Sequence, residues 1–194
     1  MASARYRFDG DTMVYARVAS GYRPGGPNFT VSGFDIPPTF AADTLVNYEL
    51  GIKKQLLEQR LTLELAAFYV DWQDIQVTQL VGGFGIIANG GAARSRGMEL
   101  TASFEPIERL HLGLTGAYTD AELTEDASAT LGPTAIPGGR LGLVPEWTGA
   151  LTADYEIPLS DGWVVRLGGG YRYISDTRGI FPRPGTPGQP VVRD

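Results

Sequence analysis

Apolar and polar residues alternate with a period of two along most of this chain. From Trp163 to Ile174, one face reads Trp163, Val165, Leu167, Gly169, Tyr171, Tyr173; the other reads Val164, Arg166, Gly168, Gly170, Arg172, Ile174. "WTGALTADYEI" repeats the pattern, with Trp147, Leu151, Ala153, Tyr155 and Ile157 opposite Thr148, Thr152, Asp154 and Glu156. So do "RGMELTASF" (Met98, Leu100, Ala102, Phe104 against Gly97, Glu99, Thr101, Ser103) and "LHLGLTGAY". Period two is the signature of a strand whose faces meet different surroundings. The spacing predicts eight strands, at about 3–8, 12–23, 43–57, 61–80, 92–105, 109–125, 144–158 and 162–177. The stretch 48–68 is rich in helix-forming Leu, Glu and Lys, but Leu61, Leu63 and Leu65 alternate with Thr62 and Glu64, as a strand does.

The connections between these strands are of two kinds. "DGD", "LEQR", "PIER" and "SDG" are tight; 23–42, 81–91, 126–143 and the tail from 179 are long and rich in Gly and Pro. Short and long strictly alternate. Alternate turns of an antiparallel meander lie at the same end, so one end carries tight turns and the other long loops. That asymmetry belongs to outer-membrane barrels.

Strand length and aromatic placement bear on whether the apolar face meets lipid or protein. Soluble strands average about 5–6 residues, and a barrel strand crosses a bilayer in about 9–11; those predicted here, the first at 3–8 excepted, are as long or longer. Trp163 follows a tight turn, with Tyr171 and Tyr173 about a membrane's thickness later, which is where interfacial girdles place Trp and Tyr. On the opposite face stand Arg5, Arg7, Arg17, Glu49, Lys53, Glu64, Glu99, Asp154, Arg166 and Arg172. They fit a wet lumen, and equally the solvated outside of a β-sandwich. Loop asymmetry and strand length favour lipid.

Composition narrows the function classes. The chain has 194 residues, no cysteine and one histidine, so neither a disulfide framework nor a thiolate or His-rich metal site is expected. A net charge of −6 without a basic block argues against nucleic acid. No apolar run is long enough for a transmembrane helix, and "MASARYRFDG" has no signal-peptide core.

Three ordered segments carry a family resemblance: "VYARVASGYRPGG" (14–26), "NYELGIKKQLLEQRLTLELAAFYVDWQDIQV" (47–77) and "NGGAARSRGMEL" (89–100). Tyr48, Glu49, Gly51 and Lys53 precede a hairpin. Phe68, Tyr69, Asp71, Trp72, Asp74, Ile75 and Gln76 follow it, and then Asn89, Gly91, Ala93, Gly97 and Glu99. In kind, order and spacing these segments resemble the barrel of TonB-dependent outer-membrane receptors. The resemblance implies an all-β fold: an antiparallel transmembrane β-barrel of the outer-membrane type. Here that means about eight up-and-down strands of a larger barrel of about 22, open or incompletely closed. It implies that residues 1–194 are a partial barrel domain, toward the C-terminal half, with plug, signal peptide and terminal strands outside this chain. It further implies import of a scarce bulky ligand, the iron–siderophore class foremost, with energy from TonB through the plug. The expected partners are outer-membrane lipid, TonB and that small-molecule ligand; the expected place is the bacterial outer membrane.

No catalytic, cofactor-binding or metal-ligating residue is read from the sequence. Asp71 and Asp74, three apart on a strand, point to opposite faces; the Gly-rich loops precede no helix; and Ser20, Ser95 and Ser103 lack a nucleophile elbow. His111 reads as a lumen or rim residue. Arg23, Asn28, Phe29, Phe34, Phe40 and Phe84 are loop positions able to meet a ligand, and packing of the loops on themselves is the competing account of each. Three other readings stay open: a complete small eight-stranded outer-membrane adhesion or structural protein, a soluble β-sandwich binding module, and a passive porin. The sequence flanking this chain separates the receptor from a complete small protein, and the surroundings of the apolar face separate a membrane barrel from a soluble sandwich.

Overall fold

The computed structural model describes residues 1–81, 83–127 and 135–177. Its strands are β1 (Ala2–Arg7), β2 (Thr12–Arg23), β3 (Gly26–Pro27), β4 (Thr39–Phe40), β5 (Asp43–Leu56), β6 (Leu61–Gln73), β7 (Gln76–Val81), β8 (Phe84–Asn89), β9 (Ala93–Phe104), β10 (Leu110–Leu123), β11 (Trp147–Pro158) and β12 (Val164–Ile174). Eight of them form one antiparallel sheet in the order β1-β2-β5-β6-β9-β10-β11-β12. Consecutive members pair in sequence order, so the sheet is an up-and-down meander. Among the described residues it is not closed: β1 pairs only with β2, and β12 only with β11.

The eight sheet strands are those the alternation predicts, with ends shifted by up to a few residues. Two predictions need correction. The strand expected over 61–80 breaks after Gln73, and the connection expected over 81–91 is the return arm of a hairpin, β7–β8. The break has a local cause. Asp74 takes φ 54°, a left-handed conformation that Asp tolerates. The next residue, Ile75, turns inward and is buried, with its N–H and carbonyl bonded to Gly91 and Gly90 at 2.9 and 2.7 Å. The chain therefore leaves the sheet in a stretch where apolar–polar alternation has already blurred. The expected strand 162–177 is realised as β12, while "FPRPGTPGQP" and residues 128–134 of the third long connection lie outside the described residues.

Pairing runs without a bulge from β5 through β6, β9 and β10, so each face keeps its identity across the sheet. One register row reads Ala16, Leu50, Ala67, Met98, Tyr118, Trp147. This apolar face is bare: Leu50 is 63% exposed, Leu151 54%, Leu167 57% and Tyr171 66%. Among the described residues no second layer covers it, which removes the β-sandwich reading. An uncovered greasy face of this extent marks an interaction surface, and aromatic residues band it at two levels. Tyr48 faces Tyr69, Tyr118 faces Trp147, and Tyr173 lies one step further along. Near the tight turns stand Tyr6, Phe8, Phe104 and Trp163. The upper band steps by two residues along the sheet, as a level line does across tilted barrel strands.

Beyond the upper band the same face turns ionic. Arg96 lies opposite Tyr69 and bonds Asp120 at 2.9 Å; Arg94 lies opposite Asp71 and pairs with Glu122. The apolar stretch thus has a sharp upper limit, which fixes the bilayer span at roughly Tyr48–Leu56 on β5 and Leu61–Tyr69 on β6. At about 3.4 Å per residue, the 14-residue β5 reaches some 45 Å and continues past that limit.

The compact apolar core sits beyond the bilayer span, at the end of the long connections. Ile75, Ala93, Leu123, Ala127 and Ala135 are buried together, with Trp72, Val77 and Leu141 packed against them. The backbone ties the same region: Thr124 N–H reaches the Ala92 carbonyl at 2.9 Å, and Ala127 N–H the Ala135 carbonyl at 2.9 Å.

Candidate functional site

Two surfaces have the chemistry to meet a solute: the polar face of the sheet and the outer body of loops. On the polar face several charges pair across neighbouring strands. Arg17 of β2 pairs with Glu49 of β5, Lys53 Nζ reaches Glu64 at 2.6 Å, and Arg166 reaches Glu156 at 2.7 Å. His111, at the tight-turn end, lies 2.9 Å from Glu105. The face is close-fitted as well as charged. The Tyr15 ring lies directly over Gly51, where any Cβ would collide with it, and Phe68 covers Gly97 in the same manner. Beside them Arg17 Nε and Asn47 Oδ1 are buried with no hydrogen-bond partner among the described residues. A depression lined by Arg17, Asn47, Glu49, Phe68, Val70 and Glu99 opens there.

The outer body is organised by one buried acid. Asp43 begins β5 above the aromatic band, outside the bilayer span, and is 2% exposed. Its carboxylate accepts from the Arg23 guanidinium (Nε at 2.8 Å, and Nη2), the Arg23 N–H at 3.1 Å, the Trp72 indole N–H at 3.1 Å and the Gln76 N–H at 3.3 Å. Arg23 lies over the Trp72 ring, 5.3 Å from its centroid, a cation–π arrangement. The Arg23 guanidinium, first of all, holds the Asp43 carboxyl at about 2; burial opposes this, and the Gln76 N–H and Trp72 indole reinforce it. Charge-assisted bonds of this kind are the strong ones.

Around this centre three amides stitch the first long connection to the β7–β8 hairpin. Gln76 Nε2 donates to the carbonyls of Arg23, Pro24 and Ala41 at 3.3, 3.0 and 3.1 Å. Asn28 brackets Ile87, giving Nδ2–H to its carbonyl at 2.8 Å and accepting its N–H at 3.1 Å. Asn89 accepts the Ala41 N–H at 2.8 Å and donates to the Ala41 and Asp74 carbonyls at 3.1 and 2.7 Å. Gly25 fits because a Cβ there would strike the Phe40 carbonyl and the Ala41 backbone.

Of the six loop positions singled out in the sequence, the structure sorts three from three. Arg23 is committed to Asp43, Asn28 to Ile87, and the Phe40 ring packs on Gly26, so their work is internal. Phe29, Phe34 and Phe84 stand together at the surface: Phe84 lies edge-on to Phe29 at 6.0 Å and to Phe34 at 6.1 Å, and all three are more than 40% exposed. The sequence reading missed Asp43, and it did not foresee that Trp72, Gln76 and Asn89 act as loop anchors. The signal for Asp43 was present, since an acid opening a strand directly opposite Arg23 is a register pair, but register is a tertiary fact.

Residues 1–190 match the family model described as TonB dependent receptor-like, beta-barrel. The chain belongs to that family. Relatives include the pesticin receptor of Yersinia enterocolitica, 32% identical over 146 residues (75% of this chain, 20% of the relative). Another is the metal-pseudopaline receptor CntO of Pseudomonas aeruginosa, 29% identical over 177 residues (90% of this chain, 23% of the relative). Among solved structures, the ferric yersiniabactin uptake receptor FyuA from Yersinia pestis superposes with a TM-score of 0.74 at 25% identity, covering 93% of this chain and 26% of that one. The chain thus spans about a fifth to a quarter of the length of the receptors it matches. These relatives are outer-membrane receptors, and the outer membrane is this chain's location, matched by the banded apolar face.

Membership gives the sequence motifs a physical reading. In "YELGIK", Tyr48 belongs to the aromatic band, Glu49 and Lys53 pair across the polar wall, and Gly51 admits the Tyr15 ring. "DWQDIQ" is the anchor of the loop body: Trp72 holds Asp43, Asp74 makes the turn, Ile75 enters the core and Gln76 caps the first loop.

Proposed function

We propose that residues 1–194 form part of the barrel wall of an active transporter that imports a scarce, bulky ligand of the iron–siderophore class, energised by TonB through a plug domain. One observation carries the reading: a single sheet is apolar and aromatic-banded on one face, ionic on the other, and topped at one end only by a folded body of loops, in a chain of the receptor family. The outer edges of β1 and β12, which have no partner strand among the described residues, favour a segment of a larger barrel over a complete small one, because open edges in hydrocarbon cost several kcal/mol for each unsatisfied group. The buried, unpartnered Arg17 Nε and Asn47 Oδ1 suit a wall that meets a filling domain. The names of the relatives, for ferric yersiniabactin and metal-pseudopaline, support the ligand class.

The test is uptake in the native host. Cells with and without the intact gene are starved of iron and given radio-iron as ferric yersiniabactin or ferric pyoverdine, and radiolabelled metal as metal-pseudopaline. Uptake of at least one probe is expected to depend on the gene and to stop when a protonophore collapses the proton-motive force. Gene-dependent uptake that survives the protonophore describes a passive pore and overturns the active-transport reading; uptake of every probe unchanged by deletion overturns the ligand class.

A further inference from the structure

We infer that Asp43 is a positioning residue for the outer surface. It joins the first long connection (24–42) and the β7–β8 hairpin into one rigid body that carries Phe29, Phe34 and Phe84 as a preset aromatic patch. The inference rests on the transport reading only in that the outer surface is taken to face the ligand; the joining itself is read from geometry.

Two loops that moved independently would each satisfy their own polar groups. Here they do not. The carbonyls of Pro24 and Ala41, in the first connection, are capped by the Gln76 side chain that begins β7. The N–H and carbonyl of Ile87 on β8 are both taken by Asn28 of the first connection. All of this stands on Asp43. It accepts from the last residue of β2, from the β6 indole and from the first N–H of β7, so one carboxylate touches the root of every segment involved. A buried carboxylate with this many donors has one arrangement, and removing it leaves Arg23, Trp72 and Gln76 to find new partners. The aromatic patch inherits this order, since Phe29 and Phe34 come from one segment and Phe84 from the other. An aromatic patch assembled from two segments retains its shape only while those segments keep their relative position. Preset surfaces bind more tightly because less ordering is left for the ligand to impose.

Full-length receptor in detergent micelles, with any cysteine outside residues 1–194 replaced by serine, carries spin labels at Ser32→Cys and Thr78→Cys, exposed sites on the two segments. The interlabel distance distribution is expected to be narrow, to broaden severalfold in Asp43→Ala, and to stay narrow in Arg96→Gln, which cuts an ion pair elsewhere on the outer end. Should Asp43→Ala fail to assemble, Gln76→Ala removes the loop caps while leaving the carboxylate paired, and the same broadening is expected. Uptake of the probes named above is measured alongside: half-saturation is expected to rise about tenfold with maximal rate within about twofold. Distributions in Asp43→Ala or Gln76→Ala as narrow as the wild type overturn the joining. Broadening with unchanged half-saturation overturns the positioning role. Broadening in a receptor that transports no probe sinks the transport reading and the positioning role with it, and leaves the joining standing.

Discussion

A carboxylate held at about 2 against an ordinary 3.8 makes Asp43 a source of stability with a defined pH window. Because the folded value is depressed, the contribution is fully present above the ordinary value and is lost as pH falls through about 2. The Ser32–Thr78 label distribution should therefore stay narrow from neutral pH down to about pH 4 and widen between there and about pH 2. In Asp43→Asn it should be broad at every pH, since the amide cannot accept an equal set of charged bonds from Arg23. A wild-type distribution that widens already near pH 6 would implicate another group. Two other single residues show how tightly the wall is set. Gly51 and Gly97 lie beneath rings, and their value is the space they leave.

Strands act through their two faces. Leu151 and Thr152 are neighbours on β11, one on the apolar face between Trp147 and Ile157, the other beneath the opposite, polar side. Leu151→Arg should destabilise the folded receptor by about 2–4 kcal/mol, the penalty for a cation near the bilayer midplane on a lipid face, and Thr152→Arg by far less. Reversible urea unfolding in lipid vesicles measures both. Equal effects from the two substitutions would mean that Leu151 does not face hydrocarbon. The β7–β8 arm illustrates the limit of face-counting. Its residues follow directly on those of β6, yet among the described residues it pairs only with itself, because Asp74 and Ile75 redirect the chain.

At the scale of the molecule, on the proposed reading, the stable unit is not the greasy sheet but the union of sheet, bilayer and further strands. Among the described residues β1 and β12 each leave one edge without a partner strand, and closure is what removes such edges from a barrel. Expressed alone and refolded in detergent, this chain should self-associate, whereas the intact receptor should be monodisperse with heat-modifiable gel mobility. Light scattering on the eluted species checks this; a stable monomer of the isolated chain would mean that its edges are satisfied internally. The small core of Ile75, Ala93, Leu123, Ala127 and Ala135 has a different role. It lies outside the bilayer and gives the loop end a folded body of its own.

Alternation, strand length and the rhythm of short and long connections were enough to read eight antiparallel strands, an apolar face meant for lipid and a loop-bearing end. Each of these is a local property, set by period two and by where Gly and Pro interrupt it. The family motifs were legible as well, as Trp72, Asp74, Ile75 and Gln76 in order. Their task was not, because it depends on which residues arrive together across strands: Asp43 meets Arg23 by register, Trp72 from the next strand, and Gln76 after a turn that alternation cannot reveal. The same holds for Arg23 and Asn28: loop packing is one of the two accounts their positions allow, but their partners, Asp43 and Ile87, are set by contacts between distant segments. Sequence by itself determined the faces of the strands, since a side chain's side follows from its parity. Tertiary structure alone decided which polar groups satisfy one another, since that is settled by distances between segments far apart in the chain.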